Sequence, residues 1–501
     1  MKVEDILLKV PFRRIMPNVI SNMASYGYTS GEMQEVPPED TQYEVISQSE
    51  FLREYFITGH KIWSPAYYAD RIKKDDKGKS YIHYVERNAF DFQKIIATKQ
   101  LIHLTGNPIS FINSDSTKLE SQRDLLIEFK QGWIKKNMEV AWYKCAKSEK
   151  ITGDAAFCGY FDTKKRFHWR VFSFMNDDTL YPHEDPITGK MSIFGRKYKQ
   201  YDENGKMIEL LDVWDERNVT TYIRSSTSSM INRIKALFGG QNWSVYREPI
   251  PHGFPFCPVA YKRNFDGACW SPVQDACDKY ELAMSQLSEN NKAYAFRILF
   301  LKGDNIDINF DSYGQPTAIA GDKESDANFL NRADASQTFE LQLNILLREI
   351  FRGSFTVIPP EVKSGDLPGV AIKLLYSPAV EKAMEDANEW NSFIDDVVEI
   401  FKYGYSVEIG KVAEYAAFDV RGEIIPYVHQ NEAEIINNIN ASVLAGSLST
   451  QSAAEKHPYG AADEETRLKE QAREELSAAA SVTEDVGNNP ENQAKEIVAE
   501  V

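Results

Sequence analysis

The chain has 501 residues, 43% of them hydrophobic and 12% aromatic, which is enough apolar material for two or three domains, or for one subunit whose elements are shared around an oligomer. A formal net charge of −17 argues against tight general binding of DNA by counterion release, since that mode needs Lys and Arg in excess; an acidic wall past which DNA slides is compatible with it. The five cysteines (Cys145, Cys158, Cys257, Cys269, Cys277) form no C-x-x-C pair, so neither zinc nor a disulfide framework is expected, and neither a signal-peptide run after Met1 nor a membrane-length apolar stretch is present.

From about Ile46 to His103 the pattern is helical with loops. It stops at Leu104-Thr105-Gly106-Asn107-Pro108-Ile109-Ser110-Phe111, where Gly-Asn-Pro ends a helix and starts an extended segment. A long helix is predicted from Leu119 to Cys145, with Leu125, Leu126, Phe129, Trp133 and Ile134 on one side. From Gly153 to about Tyr222 short alternating runs predict a β-rich module. It includes a hairpin at Asp202-Glu203-Asn204-Gly205, because Asn-Gly tolerates positive φ. The segment from Arg224 to Asn242 reads as a polar, Ser-rich loop, and Pro251 to Val259 as a turn feeding a buried strand.

Ser271 as N-cap and Pro272 at the first helical position open a helix to about Ala295, with Val273, Ala276, Cys277, Tyr280, Met284 and Leu287 on one face. A small insert follows, with a strand at Ile298 to Leu301 and a second near Ala318 among turn residues. Then comes a helix from about Ala335 to Arg352. Phe339, Leu343, Leu346 and Ile350 make its stripe, with Leu341 and Ile345 beside it; two apolar faces imply neighbours on both sides, as in a barrel of helices. Pro359, Pro360, Gly365 and Pro368 keep Val357 to Pro368 from being helical throughout. A long helix from Gly369 to Lys402 is expected to kink at Pro378, and a strand or two follow through Ala416 to Val420 and a turn at Arg421-Gly422. Helices return at Glu432 to Ala445, capped by Gly446, at Thr450 to Lys456 and at Asp463 to Ala479; Thr483 to Val501 reads as a disordered acidic tail.

Five local motifs in this order resemble the portal protein family of long-tailed double-stranded DNA phages. They are Thr105-Gly106-Asn107-Pro108-Ile109, Ile151-Thr152-Gly153-Asp154-Ala155-Ala156, the strand Pro255 to Tyr261, Pro368-Gly369-Val370-Ala371-Ile372-Lys373, and Leu444-Ala445-Gly446-Ser447-Leu448-Ser449-Thr450-Gln451-Ser452-Ala453. The resemblance implies an α+β, portal-like subunit that assembles into a ring. Its parts would be a wing (1–270 and 369–430), stem helices (271–296 and 335–353), a small α/β clip (297–334), a tunnel loop (354–368), a helical crown (431–480) and the tail (481–501). The Pro359-Pro360 pair departs from the polar, glycine-rich tunnel loop usual in the family.

The implied function is the channel of the portal vertex, for DNA packaging into and ejection from the capsid. Partners would be about eleven further copies of the chain, the large terminase, a head-completion adaptor, the major capsid and scaffolding proteins, and duplex DNA passing without sequence specificity, with no membrane. Assembly would take place in the host cytoplasm, and the site in the virion would be the capsid vertex. Arg348, Arg352, Lys363 and Ser364 are candidates to meet DNA, and Asp304, Asp307, Asp311, Asp322 and Lys323 to meet clip partners; Tyr280, Met284, Leu287, Phe339, Leu343, Leu346 and Ile350 would pack the stem.

No G-x-x-x-x-G-K-[ST] phosphate cradle is present, so the packaging ATPase must be another protein. His83, His103, His168, His183 and His252 show no metal-ligand spacing. Asp395, Asp396 and Glu399, between apolar residues, read as a solvated helix face before a Mg²⁺ site. No cofactor and no enzymatic activity are expected. The alternatives are another head-tail connector or minor capsid protein and, in a different class, a metal-dependent nuclease on the Asp395 helix.

Overall fold

The computed structural model describes residues 3–15, 43–74, 79–113, 122–224, 243–295, 298–302, 307–310, 316–320, 326–330, 336–358, 369–428, 432–448, 453 and 457. The 225–242 loop, most of Thr450 to Lys456, the helix predicted at Asp463 to Ala479 and the acidic tail lie outside them.

A short helix α1 (Val3–Ile6) precedes β1 (Phe12–Ile15), which pairs antiparallel with β2 (Tyr43–Ile46) ahead of α2 (Gln48–Tyr55). The next stretch is not simply helical with loops. After two 3-10 turns it makes an antiparallel hairpin of β3 (Arg71–Lys74) and β4 (Ser80–His83), and only then α3 (Phe92–Thr105). As Gly-Asn-Pro predicts, α3 stops at Thr105 and an extended strand follows, β5 (Ser110–Asn113).

The helix predicted from Leu119 to Cys145 is two helices, α4 (Arg123–Lys135) and α5 (Met138–Thr152). Asn137 between them has φ of 53°, in the left-handed region that asparagine tolerates better than most residues. The apolar spacing runs on through the break, so periodicity alone does not reveal it. Phe129 and Trp133 are buried and Leu125 and Leu126 half-buried, whereas Ile134, predicted on the same side, is 71% exposed.

The β-rich module is present. A three-stranded sheet has the order β13 (Val259–Arg263), β6 (Asp154–Phe161), β7 (Phe167–Phe172). A five-stranded sheet is a meander of β8 (Thr179–Glu184), β9 (Met191–Tyr201), β10 (Met207–Trp214), β11 (Asn218–Arg224) and β12 (Trp243–Pro251). The turn between β9 and β10 falls where Asn-Gly predicts it. Gly205 has φ of 72°, and Asp202 Oδ1 accepts from the N–H groups of Asn204 and Lys206 at 2.9 and 2.8 Å. β12 is an edge strand, exposed along nearly its whole length.

Ser271 is not an N-cap: it lies inside a 3-10 turn, Ser271–Val273, that precedes α6 (Gln274–Ala295), and its buried Oγ meets no partner among the described residues. Among its described residues the insert holds four strands where two were predicted. β14 (Ile298–Lys302) pairs with β17 (Asp326–Leu330), and β15 (Asp307–Phe310) with β16 (Pro316–Ala320). The helix predicted next is α7 (Ser336–Gly353). The long helix, α8 (Gly369–Ile409), carries Pro378 inside it and runs past Lys402. The strand predicted through Ala416 is instead a short helix, α9 (Val412–Ala416), and Arg421-Gly422 is no turn; both belong to β18 (Val420–Glu423), which pairs with β5. The last element described, α10 (Glu432–Leu444), ends at Gly446 as predicted, with φ of 70° and Ser447 N–H donating to the Ser442 carbonyl.

The chain divides into two units, residues 1–358 with 378–427 and residues 359–377 with 428–501. In the first, the main core forms where α4, α5, β6, β7 and α8 meet, around Phe129, Trp133, Trp142, Phe157, Phe167, Trp390 and Phe401. Phe401 stands edge-on to Phe129 and Trp133, with ring centroids 5.1 and 5.2 Å away, so truncating it to Ala costs about 3–5 kcal/mol. A second cluster joins Phe12, Phe51, Phe92, Ile96, Trp270, Cys277 and Ile350, and so ties α6 and α7 to α3.

Candidate functional site

The helical turn gives α6 three faces, each with its own chemistry. Val273, Cys277 and Tyr280 join the cluster that holds Leu347, Ile350 and Phe351 of α7, and the predicted packing residues Met284 and Leu287 continue that stripe, half-buried. About 120° round the helix lies a polar and more deeply buried stripe, Gln274, Asp278, Glu281, Ser285 and Glu289, with Glu281 only 1% exposed. The third face, with Asp275, Lys279 and Gln286, is exposed. Sequence reasoning singled out the first stripe and missed the second.

Buried carboxylates require partners, and residues 60–61 and 83–90 supply them, the latter lying along the polar stripe as a strap. The N–H groups of Phe90, Asn88 and Glu86 donate to Glu281 Oε1 (2.9 Å), Ser285 Oγ (2.9 Å) and Glu289 Oε1 (2.8 Å). Strap residues two apart thus meet helix residues four apart. Two extended residues rise about 6.6 Å and four helical ones about 6 Å, so the ladder keeps step. Lys61 bridges Asp278 at 3.0 Å, His83 reaches Glu289 at 3.4 Å, and Lys292 pairs with Glu86.

His60 anchors the ladder's other end. Its Nδ1 lies 2.7 Å from Glu281 Oε1 and its Nε2 2.8 Å from the Glu54 carbonyl, so both ring nitrogens face acceptors and the doubly protonated ring satisfies both contacts. Burial opposes that charge, but the hydrogen bond and charge of Glu281, the Glu54 carbonyl and Asp278 outweigh it and hold the pKa above the usual histidine value. Glu54 is in turn held bidentately by Arg14 at 2.8 Å.

On α7, Phe339, Leu343 and Leu346 are half-buried and Ile350 is fully buried, as the stem-packing expectation requires. Leu341 (62% exposed) and Ile345 (42% exposed) lie opposite that stripe and not beside it, since two residues turn a helix by about 200°. Arg348 and Arg352 share their face. Arg348 Nε stands 3.8 Å from Glu349, and Arg352 meets no carboxylate among the described residues. Lys363, Ser364, Asp304, Asp311, Asp322 and Lys323 lie outside the described residues, and Asp307 opens β15 opposite Ala320.

The carboxylates suspected of a nuclease role are engaged otherwise. Asp395 pairs with Arg421 at 3.2 Å and Glu399 with Lys190 at 2.8 Å, while burial, then Glu399, pushes the Asp396 pKa up to about 6. Among the described residues no group of three or more His, Cys, Asp or Glu is placed to hold a metal ion. His103, His183 and His252 each meet a backbone carbonyl, of Tyr427, Ile6 and Asp215, and His168 lies by Asp162. All five cysteines are free and buried, and no described helix is long and apolar enough to cross a membrane.

Residues 55–478 match the sequence profile of the family described as "Phage portal protein, SPP1 Gp6-like". The chain belongs to this portal family. It is a structural component of a bacteriophage virion, with the role of the portal vertex that joins head and tail, in a family that is ring-forming and not enzymatic. The chain is also similar to one in the solved structure described as "Neck of empty GTA particle computed with C6 symmetry", at 12% identity over 72% of this chain and 90% of that one, with a TM-score of 0.36. No curated protein matches it.

Proposed function

We propose that about twelve copies of this chain close into a ring through which duplex DNA is packaged and ejected, with α6 and α7 standing as its stem. The observation that carries this reading is the double character of α7. One stripe is covered by α6 within the subunit, while Leu341 and Ile345 on the far side are left to water, an arrangement suited to a neighbouring copy. The outward stripe changes along its length from apolar, at Leu341 and Ile345, to basic, at Arg348 and Arg352. The apolar half would meet the next subunit and the basic half would turn to the channel, and Lys363 and Ser364 of the tunnel loop would also meet DNA. The β14–β17 insert would be the clip, with Asp304, Asp307, Asp311, Asp322 and Lys323 facing the terminase and the adaptor. Residues 431–480 would form the crown. The wing would contact the major capsid and scaffolding proteins during assembly in the host cytoplasm. A net charge of −17 suits a conduit, because like charge keeps DNA from adhering.

Negative-stain imaging of the purified full chain tests the proposal: rings with a central hole of duplex width are expected. Leu341→Asp should convert them to monomers with unchanged circular dichroism. A wild-type protein that stays monomeric at every concentration would overturn it.

A further inference from the structure

A ring built by rotation alone joins two different surfaces of the same chain at one height. If the outer face of α7 is one of them, the other must stand level with it and face the opposite way. The level follows from the register of α6 and α7. A side chain at Gly353 would stand 2.8 Å from Val273 Cγ1 at one end of the pair, and Ile298 pairs with Leu330 beyond the other. The helices therefore run antiparallel in step, which puts Ile345 level with Glu281 and Arg348 level with Asp278.

The direction follows from the helical turn. On α6 the stripe that meets α7 runs through Val273, Cys277 and Tyr280, and Asp278 and Asp275 lie about 140° and about 200° round from Val273. Whatever covers both carboxylates therefore points directly away from α7, and the segment from His60 to Tyr67 does so. His60 is bonded to Glu281, and Lys61 bridges Asp278 at 3.0 Å. Tyr67 stands by the same carboxylates: burial, then the charges of Asp278, Asp275 and Glu281, push its pKa up to about 12. The residues between are tightly turned, with the Ser64 N–H donating to the Lys61 carbonyl at 2.9 Å and the Tyr67 N–H to the Ser64 carbonyl at 3.0 Å, and the Trp63 indole donates to the Ile57 carbonyl at 2.7 Å. Trp63 (46% exposed), Pro65 and Tyr67 (37% exposed) are thus held as an apolar patch open to water, at the level of Asp275 to Glu281.

We infer that Trp63, Pro65 and Tyr67 form the surface that receives the outer face of α7 of the neighbouring copy, with Ile345 against the two rings. Arg348, where the outward stripe turns basic, lays its methylene stem on Tyr67 and keeps its guanidinium on the channel side. The inference rests on the ring reading and names the second surface within it. The buried pairs of His60 with Glu281 and Lys61 with Asp278 then have a mechanical purpose: they fix an aromatic patch at one height on the back of the stem.

Paired cysteines test this in the full-length protein, whose native thiols are buried. Tyr67→Cys with Ile345→Cys, and separately Trp63→Cys with Ile345→Cys, should give a ladder of disulfide-linked oligomers on a non-reducing gel after oxidation. Ile82→Cys with Ile345→Cys should give none, because Ile82 adjoins His83, which reaches Glu289, about 12 Å along α6 from Glu281. In parallel, Tyr67→Lys places an ammonium that suits its own Asp278 and Asp275 but opposes Arg348 of the neighbouring copy. It should raise the concentration for half-assembly by about tenfold or more, with monomers keeping their circular dichroism, and adding Arg348→Glu should bring that concentration back down. Rings that image normally but yield no ladder from either pair, or that assemble undiminished with Tyr67→Lys, overturn the aromatic contact while leaving the ring intact. An absence of rings in the wild type overturns the ring reading itself.

Discussion

His60 shows how a single side chain can decide a contact between segments more than two hundred residues apart. With Glu281 on one ring nitrogen and the Glu54 carbonyl on the other, its charged form is favoured in the fold, and its pKa is raised. Its contribution is therefore fully present below about pH 6.5, the unfolded value, and is lost as pH rises through the higher folded value. Replacing it by His60→Gln should flatten that slope. As pH rises above about 6.5 the wild type should lose more stability than the variant, read from urea midpoints; parallel slopes would show that no proton is linked to this residue. Nothing in the sequence announces this pair, because polar contacts between distant segments leave no periodic trace. His60 was not among the histidines singled out, and neither were Asp278, Glu281 and Glu289.

At the scale of elements, the sequence was most legible where local chemistry decides. The Asn-Gly turn, the Gly-Asn-Pro stop after α3, the extent of α7 and the Gly446 cap all stand where turn residues and apolar spacing put them. It was least legible where a break leaves the spacing intact, as at Asn137, or where a short strand is made by a distant partner, as β18 is by β5. The passage of α8 over β7 depends on one position. A Cβ on Gly404 would lie 2.1 Å from Phe167 Cδ2, and Phe167 is fully buried, so the ring has nowhere to go. Gly404→Ala should therefore destabilise the protein by about 1–3 kcal/mol despite its better helix propensity. A rise in the thermal midpoint would contradict the close approach of helix and ring.

For the whole molecule, the acidic balance limits how the proposed conduit would hold DNA. With 57 basic against 74 acidic residues, any grip would be local, and the proposal puts it at the loop that carries Lys363 and Ser364. Deleting those two residues should leave rings intact in the microscope but reduce DNA packaged or retained per particle; unchanged packaging would remove the loop from the conduit.

The strand β12 carries a further consequence for the proposed ring, in which many copies would stand shoulder to shoulder. His252 N–H points inward to the Arg217 carbonyl, so by alternation Pro251 and Pro249 occupy outward positions on the open edge. Lacking N–H groups there, they deny a foreign strand the donors it would need to zip alongside. Lateral growth into a filament is thus blocked at the one margin of the five-stranded sheet most exposed to it, and association is left to surfaces that can close on themselves.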